Sequence, residues 1–252
     1  MNVLDLFSGI GGFSLGLERA GMRTVAFCEI EPFPRLVLSK RWPGIPIYDD
    51  VRTLTADRLR DDGIRVDAIC GGFPCQDVSI AGRQAGIEAA RSGLWSEIVR
   101  LTRDIRPRVI IVENVTNLIS GPSERRGGWF GRVLGDLAEI GYDAEWDCVQ
   151  ASAIGAPHGR DRVWMLAYPH EIGRQCPPFG YSPFRQLVRG VAKDSWASEP
   201  AEAVLLGVDD GFSDWVDRRA ALGNAVVPQI AEIIGRAIMR VSDSSQLRPQ
   251  GE

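Results

Sequence analysis

Residues Val3 to Phe7 form an apolar run that enters the glycine-rich turn Ser8-Gly9-Ile10-Gly11-Gly12. A helical pattern follows in Phe13, Leu15, Leu17 and Ala20, closed by Gly21, and a second strand, Thr24 to Glu29, ends on a carboxylate about 20 positions past the turn. This order predicts a βαβ unit, because two parallel strands need a crossover helix between them. The alternation continues with a helix over Pro34 to Arg41, a short strand at Ile47 and Tyr48 ending at Asp49-Asp50, and a strand over Val66 to Cys70. A helix over Leu94 to Asp104 then precedes the β-branched strand Val109 to Val112, which ends at Glu113-Asn114-Val115. Beyond the loop-like stretch Ser120 to Gly131, a helix (Phe130 to Ile140) and strands at Tyr142 to Val149 and Arg162 to Ala167 complete the series. Strands that repeatedly end in polar residues, with helices between them, predict an α/β fold: a doubly wound, Rossmann-like sheet with its site along one edge.

Regular periodicity stops near Pro169. Up to Asp217 the chain is rich in Pro, Gly and aromatic residues, and it returns to a helical stripe (Ile230, Ile233, Ile234, Ala237, Ile238) within Ala220 to Val241. The expected organisation is therefore a main domain over 1–168, a small irregular lobe over 169–217, a C-terminal helix over 218–241 that returns to the main domain, and a frayed tail over 242–252.

Cys75 stands in Gly71-Gly72-Phe73-Pro74-Cys75-Gln76, just after a predicted strand. In an open α/β sheet the ligand crevice lies beyond the strand ends, so this is where a nucleophilic thiolate would be presented. An isolated cysteine is more commonly an inert apolar residue; its neighbours along the sheet edge decide between the two. The five cysteines show no zinc-like spacing, and their odd number fits no disulfide framework, which points to a reducing, cytoplasmic setting. With two histidines a metal site has little to draw on, and no metal is expected. The start of the chain has no export signal, and no apolar run is long enough to span a bilayer. Net charge is −4, which excludes a uniformly basic nucleic-acid coat but leaves room for a local basic face. Of the 29 basic residues only Lys40 and Lys193 are lysines, so nearly every cation is a guanidinium suited to phosphates and base edges, although a compositional bias of a GC-rich genome would leave the same trace.

Five segments in order, Asp5 to Phe13, Phe73-Pro74-Cys75-Gln76, Glu113-Asn114-Val115, Arg160-Asp161-Arg162 and Gly223-Asn224-Ala225-Val226-Val227-Pro228, resemble the motifs of the bacterial and phage DNA (cytosine-5) methyltransferases. The resemblance spans nearly all of the chain except 169–217. It implies an S-adenosyl-L-methionine site in which Phe7, Ser8, Gly9, Gly11 and Gly12 cradle the cofactor and Glu29 takes the ribose hydroxyls. Ile30 would cover the adenine face, Asp50 with Val51 its edge, and Asn224 and Ala225 would lie alongside. It implies Cys75 as the nucleophile toward carbon 6 of cytosine and Glu113 as the acid at nitrogen 3. Arg162 would hold oxygen 2, and Arg160 would favour the thiolate. Double-stranded DNA is the implied partner, with the base flipped out of the stack, the protein a monomer, and a cognate restriction endonuclease acting separately.

Ser79, Arg83 and Arg91, in the segment after Cys75 that matches the family's closing loop, are expected at the DNA backbone. Arg174, Arg185, Arg189 and Lys193 of the short lobe are expected at base edges or phosphates. His158 stands where the family often has Gln, and Asp77-Val78 replaces the usual pair after Pro-Cys-Gln, so local contacts there differ. A tRNA cytosine-5 methyltransferase is the alternative within the class. A silent DNA-binding module has no use for Cys75, Glu113 and Arg162 together, and a nicotinamide oxidoreductase has none for Pro74-Cys75.

Overall fold

The β-branched and apolar runs assemble into one sheet, seen in a computed structural model that describes residues 1–73, 93–120, 128–156, 159–173 and 225–246. Among the described residues the sheet has seven strands in the order β3-β2-β1-β4-β5-β7-β6. They are β1 (Asn2–Leu6), β2 (Arg23–Cys28), β3 (Ile47–Tyr48), β4 (Ala68–Gly71), β5 (Val109–Val115), β6 (Tyr142–Gln150) and β7 (Asp161–Pro169). The first five are parallel, and β7 runs antiparallel to both β5 and β6. Strand order reverses between β1 and β4, so the crevice of a doubly wound sheet falls at their carboxyl ends, beside the glycine turn and Gly72-Phe73.

Alternation along each strand divides the core. On one face Leu4, Leu6, Ile69, Ile110 and Val112 pack with helices α3 (Ala56–Asp61), α4 (Leu94–Ile105) and α6 (Gly128–Glu139). On the other, Val3, Ala68, Cys70, Val109 and Ile111 pack under α1 (Gly12–Arg19) and α8 (Pro228–Gln246). Helix α2 (Pro32–Arg41) follows β2, and α5 (Asn117–Ser120) and α7 (His170–Gly173) are single turns.

The C-terminal helix α8 packs against α1, the helix that follows the glycine turn. The contact rests on three glycines that let α1 and α8 approach closely. A β-carbon at Gly12 would collide with the Val226 carbonyl oxygen and one at Gly16 with the Pro228 carbonyl oxygen, while one at Gly235 would lie 2.7 Å from Ala20 Cβ. Backbone atoms cannot rotate out of the way. Gly16→Ala is therefore expected to lower stability by about 1–3 kcal/mol, the usual cost of overpacking, read by urea unfolding.

The helix differs from expectation at both ends. It begins at Pro228 rather than near Ala220, because proline suits the first turn of a helix and disfavours helical geometry in the residue before it. It continues to Gln246, so the expected tail from Ser242 is helical for its first five residues. Val241 is the last apolar residue of the stripe, and hydrophobic periodicity has no means of marking a polar helical end. Helix α3 escaped the sequence reading for the same reason: Ala-Asp-Arg-Leu-Arg-Asp offers two apolar positions, both buried, and a Thr55 cap whose side chain accepts the Arg58 N–H.

Candidate active site

The turn after β1 takes its shape from left-handed backbone at Gly9 (φ 52°), Gly11 (φ 85°) and, against the usual preference, Phe7 (φ 53°). The Gly11 N–H donates to the Ser8 carbonyl at 2.8 Å, closing the turn, and the Ser8 hydroxyl donates to the Asp5 carbonyl at 2.6 Å. Glu29, buried at the end of β2, receives the Gly9 N–H on Oε2 at 2.6 Å and the Glu31 N–H on Oε1 at 2.8 Å. The carboxylate thus ties the turn to the second strand. Ile30, beside it, is 56% exposed, and Val51 is buried. A β-carbon at Gly9 would meet nothing within 4 Å, so the turn faces open space on that side. Arg52 holds the Asp50 carboxylate at 2.8 Å and keeps it below the usual carboxylate range. An open glycine turn at a helix N-terminus, an exposed apolar side chain and a fixed carboxylate suit an adenosine-bearing cofactor.

Beneath the turn lies Asp5, fully buried in the middle of β1, with the Ser14 hydroxyl donating to its Oδ2 at 2.7 Å. Burial pushes its carboxyl up to about 7, against the opposing pull of Ser14 and the Cys70 thiol. The folded state therefore keeps a proton that the unfolded chain gives up above pH 4, and stability is lost as pH rises from about 4 to about 7. A difference of that size amounts to as much as roughly 4 kcal/mol. Asp5→Asn, neutral and of the same shape, is expected to lack the slope; urea unfolding of both proteins at a series of pH values checks it.

At the carboxyl end of β5, Glu113 is 7% exposed. It pairs across the sheet with Trp164 of β7, so Arg162, two residues before Trp164, projects from the same face. Arg162 Nε lies 3.2 Å from Glu113 Oε1 and Arg160 Nη2 lies 3.9 Å from the same oxygen. Burial pushes the Glu113 carboxyl up, and the charges of Arg160 and Arg162 pull against it. Arg160 in turn is lowered by burial and by Arg162. Buried Asn114 donates from Nδ2 to the Phe73 carbonyl at 3.0 Å, and its Oδ1 accepts the Val115 N–H at 2.8 Å. A β-carbon at Gly72 would come to 3.2 Å from Glu113 Oε2. The chain leaving β4 therefore passes directly beside the Glu113 carboxyl three residues before Cys75, and glycine at 72 is what lets it pass so near.

The structure thus brings Glu113, Arg160 and Arg162 together and sets Phe7, Ser8, Gly9, Gly11, Gly12, Glu29 and Ile30 around one turn, with Ala225 near it through the Val226 contact on Gly12. Cys75, Ser79, Arg83, Arg91, His158, Arg174, Arg185, Arg189, Lys193 and Asn224 lie outside the described residues. Asp5, Phe73 and Trp42 were not singled out as site residues from sequence; a carboxylate in the centre of an apolar strand was the one available signal, and it pointed to Asp5. A separate surface cleft of about 650 Å³ sits at the opposite ends of the strands, near Leu59, Arg60, Arg65, Arg106 and Arg108. Arg60 and Arg106 stand at the carboxyl ends of α3 and α4, where a cation offsets the helix dipole. That role accounts for them without a ligand. Among the described residues no helix is long and apolar enough to cross a membrane, and no group of side chains is placed to hold a metal ion.

A family model for C-5 cytosine-specific DNA methylases matches residues 1–195. The type II methyltransferase M2.BsuMI of Bacillus subtilis (strain 168) is 38% identical over 171 residues, covering 66% of this chain and 42% of that protein. M.HhaI of Haemophilus parahaemolyticus is 30% identical over 175 residues, covering 69% and 51%. The chain spans about half the length of the curated relatives it matches. Among solved structures, a putative DNA modification methyltransferase encoded within an E. coli prophage superposes with a TM-score of 0.57 at 27% identity over 69% of this chain and 48% of that one. The Entamoeba histolytica methyltransferase EhMeth reaches 0.65 over 96% and 98% of the two chains, at 16% identity a likeness of fold alone. The chain belongs to the C-5 cytosine-specific DNA methylase family.

Proposed function

We propose that the protein methylates carbon 5 of cytosine in double-stranded DNA, using S-adenosyl-L-methionine. The observation that carries this reading is the buried carboxyl of Glu113 beside Arg162 and against the chain that leads into Cys75. Carbon 5 of cytosine is too weak a nucleophile to take a methyl group unaided. Addition of the Cys75 thiolate to carbon 6 makes carbons 4 and 5 an enamine, and the electron pair is drawn toward nitrogen 3. Glu113, whose carboxyl burial raises above its ordinary value, donates there as general acid. Arg162 orients that carboxyl and takes oxygen 2 of the base. Arg160 adds positive charge that favours the thiolate. Loss of the proton from carbon 5 then expels the thiolate and restores the ring.

The cofactor supplies a methyl group on a sulfonium, already activated for transfer. Around it the chain's own residues bind and orient: the Gly9 to Gly12 turn at the N-terminus of α1, Glu29 toward the ribose, and Phe7, Ile30, Asp50 and Val51 toward the adenine. Asn224 and Ala225 complete that side. The main domain is the sheet, whose last strand β7 runs to Pro169 just past the expected boundary at 168, with the C-terminal helix, and the recognition lobe falls within 169–217. Arg174, Arg185 and Arg189 read base edges there, while Ser79, Arg83 and Arg91 engage the DNA backbone without reading sequence. The relatives matched in sequence are named as type II methyltransferases, which favours DNA over tRNA. The protein works as a monomer in the cytoplasm, and any cognate endonuclease acts apart from it. Bisulfite sequencing of host DNA after expression tests the reading, since it reports the modified base and its context together. Unmethylated DNA alongside labelled methyl transfer to tRNA is the result that would replace DNA by RNA as substrate.

A further inference from the structure

Helix α2 touches the glycine turn at both of its ends. At its start, Glu29 joins the Gly9 and Glu31 amides through its two oxygens. At its end stands Trp42, whose ring fills the space behind Gly11: a β-carbon on that residue would overlap the indole, 2.5 Å from Cη2, and come to 3.1 Å from Leu38 Cδ2. Three further contacts hold the ring there. Its Nε1–H donates to Glu18 Oε2 on α1 at 2.8 Å, its centroid lies 5.2 Å from that of Phe27 on β2, and the Arg41 guanidinium sits 5.3 Å from it. The Trp42 N–H donates to the Leu38 carbonyl at 2.8 Å, which fixes the residue as the cap directly after the helix.

A tryptophan that served only the core would be expected among buried neighbours on its own helix. Along α2, however, only Leu38 is buried, and the indole rests on the backbone of the turn. Gly11 is left-handed and is the N-terminal cap of α1 with no side chain to bond the helix amides. A glycine in that position has many alternative conformations to lose. Filling the space behind it removes those alternatives, while the other side of the turn stays open at Gly9.

We propose that Trp42 is a positioning residue for the cofactor: it holds the glycine turn in its binding conformation before the cofactor arrives, so that affinity is not spent on ordering the loop. The inference rests on the S-adenosyl-L-methionine reading given above. Trp42 touches neither reacting group, so its loss should weaken cofactor binding and leave the chemical step alone.

Calorimetric titration of the DNA-free protein with S-adenosylhomocysteine provides the test, together with steady-state kinetics. Trp42→Ala should raise Kd by at least about 10-fold and KM for the cofactor in parallel, with kcat at saturation within about 2-fold of wild type. Glu18→Ala breaks only the indole N–H bond and keeps the ring behind Gly11, whereas Trp42→Phe also removes the far end of the indole that fills that space. Glu18→Ala should raise Kd by about 3-fold, as for one net hydrogen bond, Trp42→Phe should raise it further, and the double variant should be no worse than Trp42→Phe alone. These milder variants decide the matter if Trp42→Ala fails to fold. A folded Trp42→Ala protein with unchanged Kd, or milder variants with unchanged Kd, overturns the positioning role while wild-type binding keeps the cofactor assignment standing. Wild-type protein that does not bind S-adenosylhomocysteine overturns both.

Discussion

Replacing Cys75 by alanine is expected to abolish methyl transfer to duplex DNA while leaving binding of DNA and of S-adenosylhomocysteine intact. The reason lies in the substrate. Cytosine carbon 5 gains nucleophilic character only after a thiolate has added to carbon 6, and no cysteine among the described residues is suited to replace Cys75. Cys28 and Cys70 are buried, and their thiols are pushed well above the ordinary cysteine range, chiefly by burial. Cys148 is exposed, but it lies on the outermost strand β6, and burial and nearby carboxylates raise it too. Wild-type protein should also form a covalent adduct with DNA carrying 5-fluorocytosine, because fluorine at carbon 5 cannot leave as a proton would. Denaturing electrophoresis shows the adduct, and Cys75→Ala should give none. Turnover by Cys75→Ala, or an adduct formed by it, would remove the thiolate from the mechanism.

Much of this organisation was legible along the chain because it is local. A glycine turn after an apolar strand, a carboxylate closing the next strand, and a cysteine after a third each carry their own signal, and parallel α/β topology places them on one edge. What was not legible depends on crossings between distant elements. The reading placed two strands after Ile140 without direction, whereas β7 inserts antiparallel between β5 and β6. That insertion is what brings Arg162 and Arg160 to Glu113. Trp42 belongs to no motif and sits at an ordinary helix end. Its contact with Gly11 arises only from the path α2 takes back across the turn. Helix ends were misplaced wherever polar residues continue a helix past its apolar stripe, as at Ser242 to Gln246. Close approach of α1 and α8 likewise gave no periodic signal, since glycines at 12, 16 and 235 contribute space and no hydrophobic pattern.

Glu113→Gln is expected to lower the methylation rate by roughly 100-fold or more, the range of a lost general acid, with little change in the affinity for DNA. Glutamine keeps the size and the hydrogen-bonding oxygen that Arg162 approaches at 3.2 Å in the native carboxylate, so folding should be preserved and the deficit should appear in kcat. The pH profile distinguishes an acid from a mere structural anchor. Because burial raises the Glu113 carboxyl above its ordinary value, the protonated form persists at higher pH than for a solvated glutamate, and it is lost as pH rises through that raised value. The Cys75 thiolate changes in the opposite sense, growing as pH rises. Wild-type activity should therefore follow a bell, with the ascending limb set by the thiol and the descending limb by Glu113. In Glu113→Gln the descending limb should vanish while the ascending one remains, since the amide carries no proton to lose in this range. The two arginines sharpen the expectation. Arg160 and Arg162 both pull the carboxyl toward ionisation, so Arg162→Gln, by removing the nearer charge, should move the descending limb to higher pH. A profile for Glu113→Gln that keeps the wild-type bell would assign the descending limb to another group and leave Glu113 with an anchoring role alone.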